Sequence, residues 1–219
     1  MIKKESPPTI ILAALHEAVI AAWQAAFEGV AGVTIHHGSI LEVETQAVVC
    51  PTNSFGFMLN SLDAAYLKFF GNHIENWLHN RIVTNHHGEL LVGQAELIET
   101  HHVQIPYFIA APTMRVRVVM DSMETVNPYL ATRGAFLLWQ HAVLDDKRAM
   151  CDVVKTLALP LMNPGLTREA EWLPPTLCAH QMRVAYDEVL LGKHIPPSTW
   201  WEAASKHRQL YNHILSPEK

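Results

Sequence analysis

Between Val48 and Tyr66 the chain reads VVCPTNSFGFMLNSLDAAY, an apolar run that breaks at Pro51 into asparagine, serine, aromatic and glycine residues. A buried strand delivering such a loop to a helix that starts near Asp63 has the makings of an anion site. The first turn of a helix offers free N–H groups and partial positive charge, so a phosphate can be held there without lysine. No lysine or arginine lies between Pro51 and Leu67. Asp63 stands where a carboxylate acts either as a helix cap or as a general base.

A second stretch, LPLMNPGLTREAEW from Leu159, repeats the pattern: an apolar run empties at Pro160 into Asn163, Pro164 and Gly165. If the two runs are neighbouring strands, their loops face each other across one crevice at the carboxyl edge of a sheet. Taken singly, each loop is also what ordinary turn formers look like.

Other chemistries are poorly served. The fourteen histidines include three adjacent pairs, His36–His37, His86–His87 and His101–His102. Neighbours on a strand point to opposite faces and cannot chelate one ion. No Cys/His spacing resembles a zinc site, and we expect neither metal nor cofactor. The glycine-rich dinucleotide, P-loop and GxSxG signatures do not occur. Cys50, Cys151 and Cys178 form no close-spaced pair and read as reduced core thiols.

The 219 residues, 49% hydrophobic and 17% charged, suit one generous domain, or one domain plus a terminal extension. A formal charge of −5 with no polybasic run argues against duplex nucleic acid. The apolar segment from Ile10 to Phe27 is interrupted by His16, Glu17 and Gln24, which makes it a poor membrane span. We therefore expect a soluble cytoplasmic protein with no membrane partner.

The elements that must position these loops follow from periodicity. Strands are expected at Thr9–Leu15, Val33–His37, Ala47–Cys50, Leu90–Leu97, Val103–Ala111 and Val154–Leu159. Helices are expected at His16–Phe27, Leu62–Phe70, Ile74–Val83, Asn127–Leu144 and Thr176–Leu190. Asn127–Leu144 is expected to pack through Leu130, Phe136, Leu137 and Val143. Beyond Gly192 the chain reads as an appendage whose Trp200, Leu210, Tyr211 and Ile214 clamp a short helix to the domain. Alternation of strands and helices implies a layered α/β architecture.

Four ordered blocks, PTNSFGFMLNSLDAAY, VGQAELIE, IPYFIAAPTMR and LALPLMNPGLTREAEWLPPTLCAHQMRVAYDE, together resemble a macrodomain of the ADP-ribose-binding or ADP-ribose-processing type. The resemblance covers roughly Thr9 to Leu191. It implies a macrodomain-like domain over residues 1–192, an extension over 193–219, and a three-layer α/β/α sandwich with a mixed central sheet. The implied ligand is ADP-ribose or a derivative, free or on a modified protein. Its adenine would lie by Ser39 and Ile40. Its diphosphate and distal ribose would lie over Pro51, Thr52, Asn53, Ser54, Phe55, Gly56, Phe57, Asn60, Ser61 and Asp63. Pro160, Met162, Asn163, Gly165 and Leu166 would close from the other side. Were an ADP-ribosyl bond hydrolysed, Asn53 or Asp63 would orient the water.

Three positions depart from the family's pattern. Gly38-Ser39-Ile40 stands where Gly-Asp-Ile is usual, Leu59-Asn60-Ser61 where a glycine run is usual, and Met162-Asn163-Pro164-Gly165 where Gly-x-Gly is usual. Each change removes a charged acceptor or a close backbone donor. The expectation is weaker affinity for plain ADP-ribose or a pocket refitted to a modified ligand. Two functions stay open: recognition, with or without hydrolysis, and a degenerate non-catalytic module that senses a nucleotide signal or binds a partner protein.

Overall fold

A computed structural model describes residues 6–59, 61–116, 125–163 and 173–211. Its strands are β1 (Thr9–Ala14), β2 (Val33–His37), β3 (Ala47–Cys50), β4 (Glu96–Glu99), β5 (Tyr107–Ala110) and β6 (Thr156–Leu159). They form one sheet in the order β2-β1-β6-β3-β5-β4. All neighbours are parallel except β4, which pairs antiparallel with β5.

Strand alternation divides the core into two layers. On one face Val48, Cys50, Phe108, Ala110 and Ala158 meet Tyr66 and Phe70 of α2 (Ser61–Phe70) and Ile74, Leu78 and Ile82 of α3 (His73–His86). On the other, Ile10, Leu12, Val49, Ile109, Leu157 and Leu159 meet the remaining core helices. These are α1 (Glu17–Ala26), α4 (Asn127–His141), the short α5 (Met150–Val153) and α6 (Pro175–Val189). Near-continuous apolar strands are what a sheet covered on both faces requires. The architecture is the mixed three-layer α/β/α sandwich expected.

Several boundaries differ from the sequence reading, each for a local reason. The run expected as a strand from Leu90 is loop as far as Ala95. There the Leu90 N–H donates to the Ser54 carbonyl instead of a ladder, and Gly93 sits at φ 97°. The run from Val103 becomes strand only at Tyr107. Thr100 closes a tight turn first, its hydroxyl donating to the Ile105 carbonyl at 2.6 Å, and Val103 is 98% exposed.

Helix α4 buries Ala131, Thr132, Ala135, Phe136 and Trp139, whereas Val143 lies beyond the helix and is exposed. Small residues win this face because the helix closes directly on backbone. A Cβ on Gly134 would stand 2.6 Å from the Gly93 carbonyl oxygen and 3.0 Å from that of Gln94. We expect Gly134→Ala to destabilise the fold by about 1–3 kcal/mol, although alanine is the better helix former. A urea midpoint no lower than wild type would show that the 93–94 turn yields.

The extension forms α7 (Trp200–Gln209), capped by the Thr199 hydroxyl accepting from the Glu202 N–H. It is held to α6 through Leu210, which is buried, and through His180 Nε2, 2.9 Å from the Gln209 carbonyl. Trp200 does not join that clamp. It is 70% exposed, and Trp201 74%, the two rings meeting edge to face at 4.7 Å. Ile214 lies outside the described residues. No helix among the described residues is long and apolar enough to cross a membrane.

Candidate functional site

Because five strands run parallel, the loops that follow β1, β2, β3, β5 and β6 all emerge at one edge of the sheet. β3 and β6 are direct neighbours, so the loops after them leave the sheet side by side. A third loop, Pro112–Arg115 after β5, joins them. Its Thr113 N–H donates to the Thr52 carbonyl at 3.0 Å, and its Thr113 hydroxyl donates to the Asn163 carbonyl at 3.3 Å. The Ser54 N–H reaches the carbonyls of Met114 and Arg115 at 3.1 and 3.0 Å, and Asn53 bridges to Met114. Asn127 Nδ2 ties α4 to the same floor through the Thr113 carbonyl at 2.9 Å.

Sequence reasoning ended a strand at Ala111 but did not assign the residues after it to the site. The available signal was the same one used for the other two: an apolar run, from Tyr107 to Ala111, ending at a proline. The loop also supplies the cation missing from the first. The Arg115 guanidinium lies 5.1 Å from the Phe55 ring centroid, within cation–π range, and is bound to Glu89 at 2.7 and 3.2 Å. Glu89 holds its pKa above the ordinary arginine value.

The first loop is shaped by Asn53. Its Nδ2 donates to the Phe57 carbonyl at 2.7 Å, and its Oδ1 accepts from the Phe55 and Phe57 N–H groups at 3.1 and 3.2 Å. Gly56 completes the turn at φ 75°, where any Cβ would press within 2.8 Å of Ile82 Cδ1. No other residue satisfies both conditions. Farther along, the Met58 N–H donates to Glu75 Oε1 and the Leu59 N–H to Asp63 Oδ2, each at 2.9 Å. Every backbone N–H from Ser54 to Leu59 is thus engaged within the protein.

Asp63 is 3% exposed. Its Oδ1 also accepts from the Cys50 thiol at 3.4 Å. Burial, then the Asp63 carboxylate, push that thiol well above its ordinary pKa, so Cys50 is an unreactive core donor. Tyr66 stands beside them, its hydroxyl donating to the Val49 carbonyl at 3.0 Å.

The remaining expected site residues divide by exposure. Phe55 is half-buried, and Phe57 is half-exposed against His79, their rings 5.2 Å apart. Pro51 and Asn163 are half-buried, the Asn163 Nδ2 donating to the Leu173 carbonyl at 3.0 Å. Thr52 and Ser54 are buried; the Thr52 hydroxyl has no hydrogen-bond partner among the described residues. Pro160 and Met162 are buried, and Ile40 belongs to the α2–α3 core layer with Val48 and Met58. Ser39 is half-buried and caps its own turn, its hydroxyl accepting from the Leu41 N–H at 3.3 Å. Asn60, Gly165 and Leu166 lie outside the described residues, as does the Ser61 side chain.

No protein-family model matches the sequence. Solved structures do share this fold. The macrodomain of Mycobacterium tuberculosis DarG aligns over 69% of this chain and 87% of its own, at 13% identity and a TM-score of 0.52. That of Thermus aquaticus DarG aligns over 68% and 85%, at 17% identity and 0.50. The chain has a macrodomain fold. The Oceanobacillus iheyensis macrodomain with MES bound is similar over a longer stretch, 81% of this chain and 89% of that one, at 11% identity and 0.51.

Within this macrodomain fold a separate cleft of about 250 Å³ opens among Trp77, Arg81, Ile98, Glu99, His101 and Asp145. It lies at the opposite edge of the sheet. Glu99 pairs with Tyr107, the first residue of β5, while the three laced loops leave from strand carboxyl ends.

Proposed function

We propose that this chain is a recognition module for ADP-ribose or an ADP-ribose derivative, free or carried on a modified protein. The ligand lies in the crevice flanked by the loops after β3 and β6 and floored by the loop after β5. The observation that carries this reading is the lacing of Thr52, Ser54, Thr113 and Asn163 into one floor at the carboxyl edge of a macrodomain sheet, where open α/β folds bind their ligands. The half-exposed rings of Phe55 and Phe57 offer faces to a base or ribose.

Recognition without turnover fits the side chains better than hydrolysis. Asn53 spends its amide on its own loop, and Asp63 is buried beneath it. A general base must reach its water. A second reading, a protein-interaction module, draws on the exposed Trp200–Trp201 pair. Here residues 1–192 form the recognition domain and 193–219 an added arm that presents the pair. Tryptophans carry a large share of binding energy where they are buried by a partner. The three buried free thiols suit the cytoplasm.

Calorimetric titration with ADP-ribose tests the assignment. We expect saturable binding that Asn53→Ala weakens by about tenfold or more, since the substitution releases three loop hydrogen bonds worth roughly 0.5–1.5 kcal/mol each. Absence of heat at high micromolar ADP-ribose, from protein with a normal melting curve, overturns it.

A further inference from the structure

Phosphate recognition at a loop requires N–H groups free to point at the anion. On the arc from Ser54 to Leu59 those groups already have acceptors, and the last two acceptors are carboxylates. Glu75 Oε1 takes the Met58 N–H and Asp63 Oδ2 the Leu59 N–H, both at 2.9 Å. The two carboxylates differ in kind. Asp63 is buried and shared with Cys50, and so belongs to the core. Glu75 is only half-buried and reaches the loop from the first turn of another helix, α3, where the helix dipole stabilises its charge.

The charges around the arc favour the same outcome. No lysine or arginine lies between Pro51 and Leu67. The guanidinium that approaches Phe55 belongs to Arg115 and is held bidentate by Glu89. An incoming phosphate on the Met58–Leu59 side would have to displace a carboxylate and then remain beside it. A hydroxyl meets no such opposition, because it donates to the same carboxylate oxygens.

We propose that Glu75 is a specificity-determining residue: by holding the Met58 N–H, it makes the first loop accept a neutral, hydroxyl-bearing part of the ligand and turn away phosphate. This rests on the crevice being a nucleotide site. It assigns the uncharged sugar to the first loop and leaves phosphate to be met elsewhere in the crevice.

The test titrates adenosine, ADP-ribose and inorganic pyrophosphate into wild type, Glu75→Gln and Glu75→Ala, with the backbone amides followed by NMR. The Gln variant removes the charge and keeps the acceptor; the Ala variant also frees the N–H. The affinity ratio of ADP-ribose to adenosine should rise about tenfold in Glu75→Ala, the worth of one charge-assisted bond, and by less in Glu75→Gln. Pyrophosphate should move the Met58 amide resonance in Glu75→Ala and leave it still in wild type. A ratio that is unchanged or lower in both variants overturns the proposal. If neither nucleotide binds wild type, the nucleotide reading falls, and the Met58 response to pyrophosphate alone decides the role of Glu75: movement in the Ala variant upholds it, and none overturns it.

Discussion

Replacing Phe108 with alanine should cost about 3–5 kcal/mol of folding stability. Phe108 is fully buried at the centre of β5, opposite Val48 of β3 and Ile98 of β4. Its ring meets Tyr66 edge to face at 5.3 Å and Phe70 at 6.0 Å, so it joins the sheet to α2 beneath the first loop. Rigid strands on both sides prevent the space from collapsing, and deletions that leave an uncollapsed cavity fall at the costly end of the range. For a chain of this size the melting temperature should drop by roughly 10 °C or more. Urea denaturation measures it, and a loss below about 1 kcal/mol would show that Tyr66 and Phe70 close the gap.

Asp63→Ala should rank next, at about 2–3 kcal/mol, because it strands the Leu59 N–H and the Cys50 thiol together. Asp63→Asn retains an acceptor oxygen and should recover part of that loss. The pair separates a structural carboxylate from a chemical one. If Asp63 positions the loop, stability and ADP-ribose affinity fall together in Asp63→Ala and partly return in Asp63→Asn. If it is a general base, Asp63→Asn abolishes release of ADP-ribose from a modified substrate while the melting curve stays put. We expect the first pattern.

The sheet and its two loops were readable because their signals are local. Val48–Cys50 and Leu157–Leu159 are apolar runs that end at Pro51 and Pro160, and a strand that stops at a proline announces its own boundary. What escaped depends on which elements meet across space. Glu75 lies seventeen residues beyond Met58 and looks like any polar residue in a helix's first turn. Thr113 joins Thr52 and Asn163 through one backbone N–H and one hydroxyl, and neither leaves a periodic mark. The packing face of α4 was misjudged because large apolar residues were weighted above small ones. Gly134 and Ala135 take the inner side where another backbone must approach. Trp200 is apolar, but apolarity does not say which side of a helix docks.

The floor made by Thr52, Ser54, Thr113 and Asn163 is tied by bonds between three loops rather than within each. Its donors and acceptors are fixed when the sheet assembles. Under the proposed reading, a ligand there would meet loops whose backbone is already ordered and would be spared that part of the cost of binding. Arrival is then set by diffusion and orientation, and ligands of this crevice should be distinguished by how long they stay.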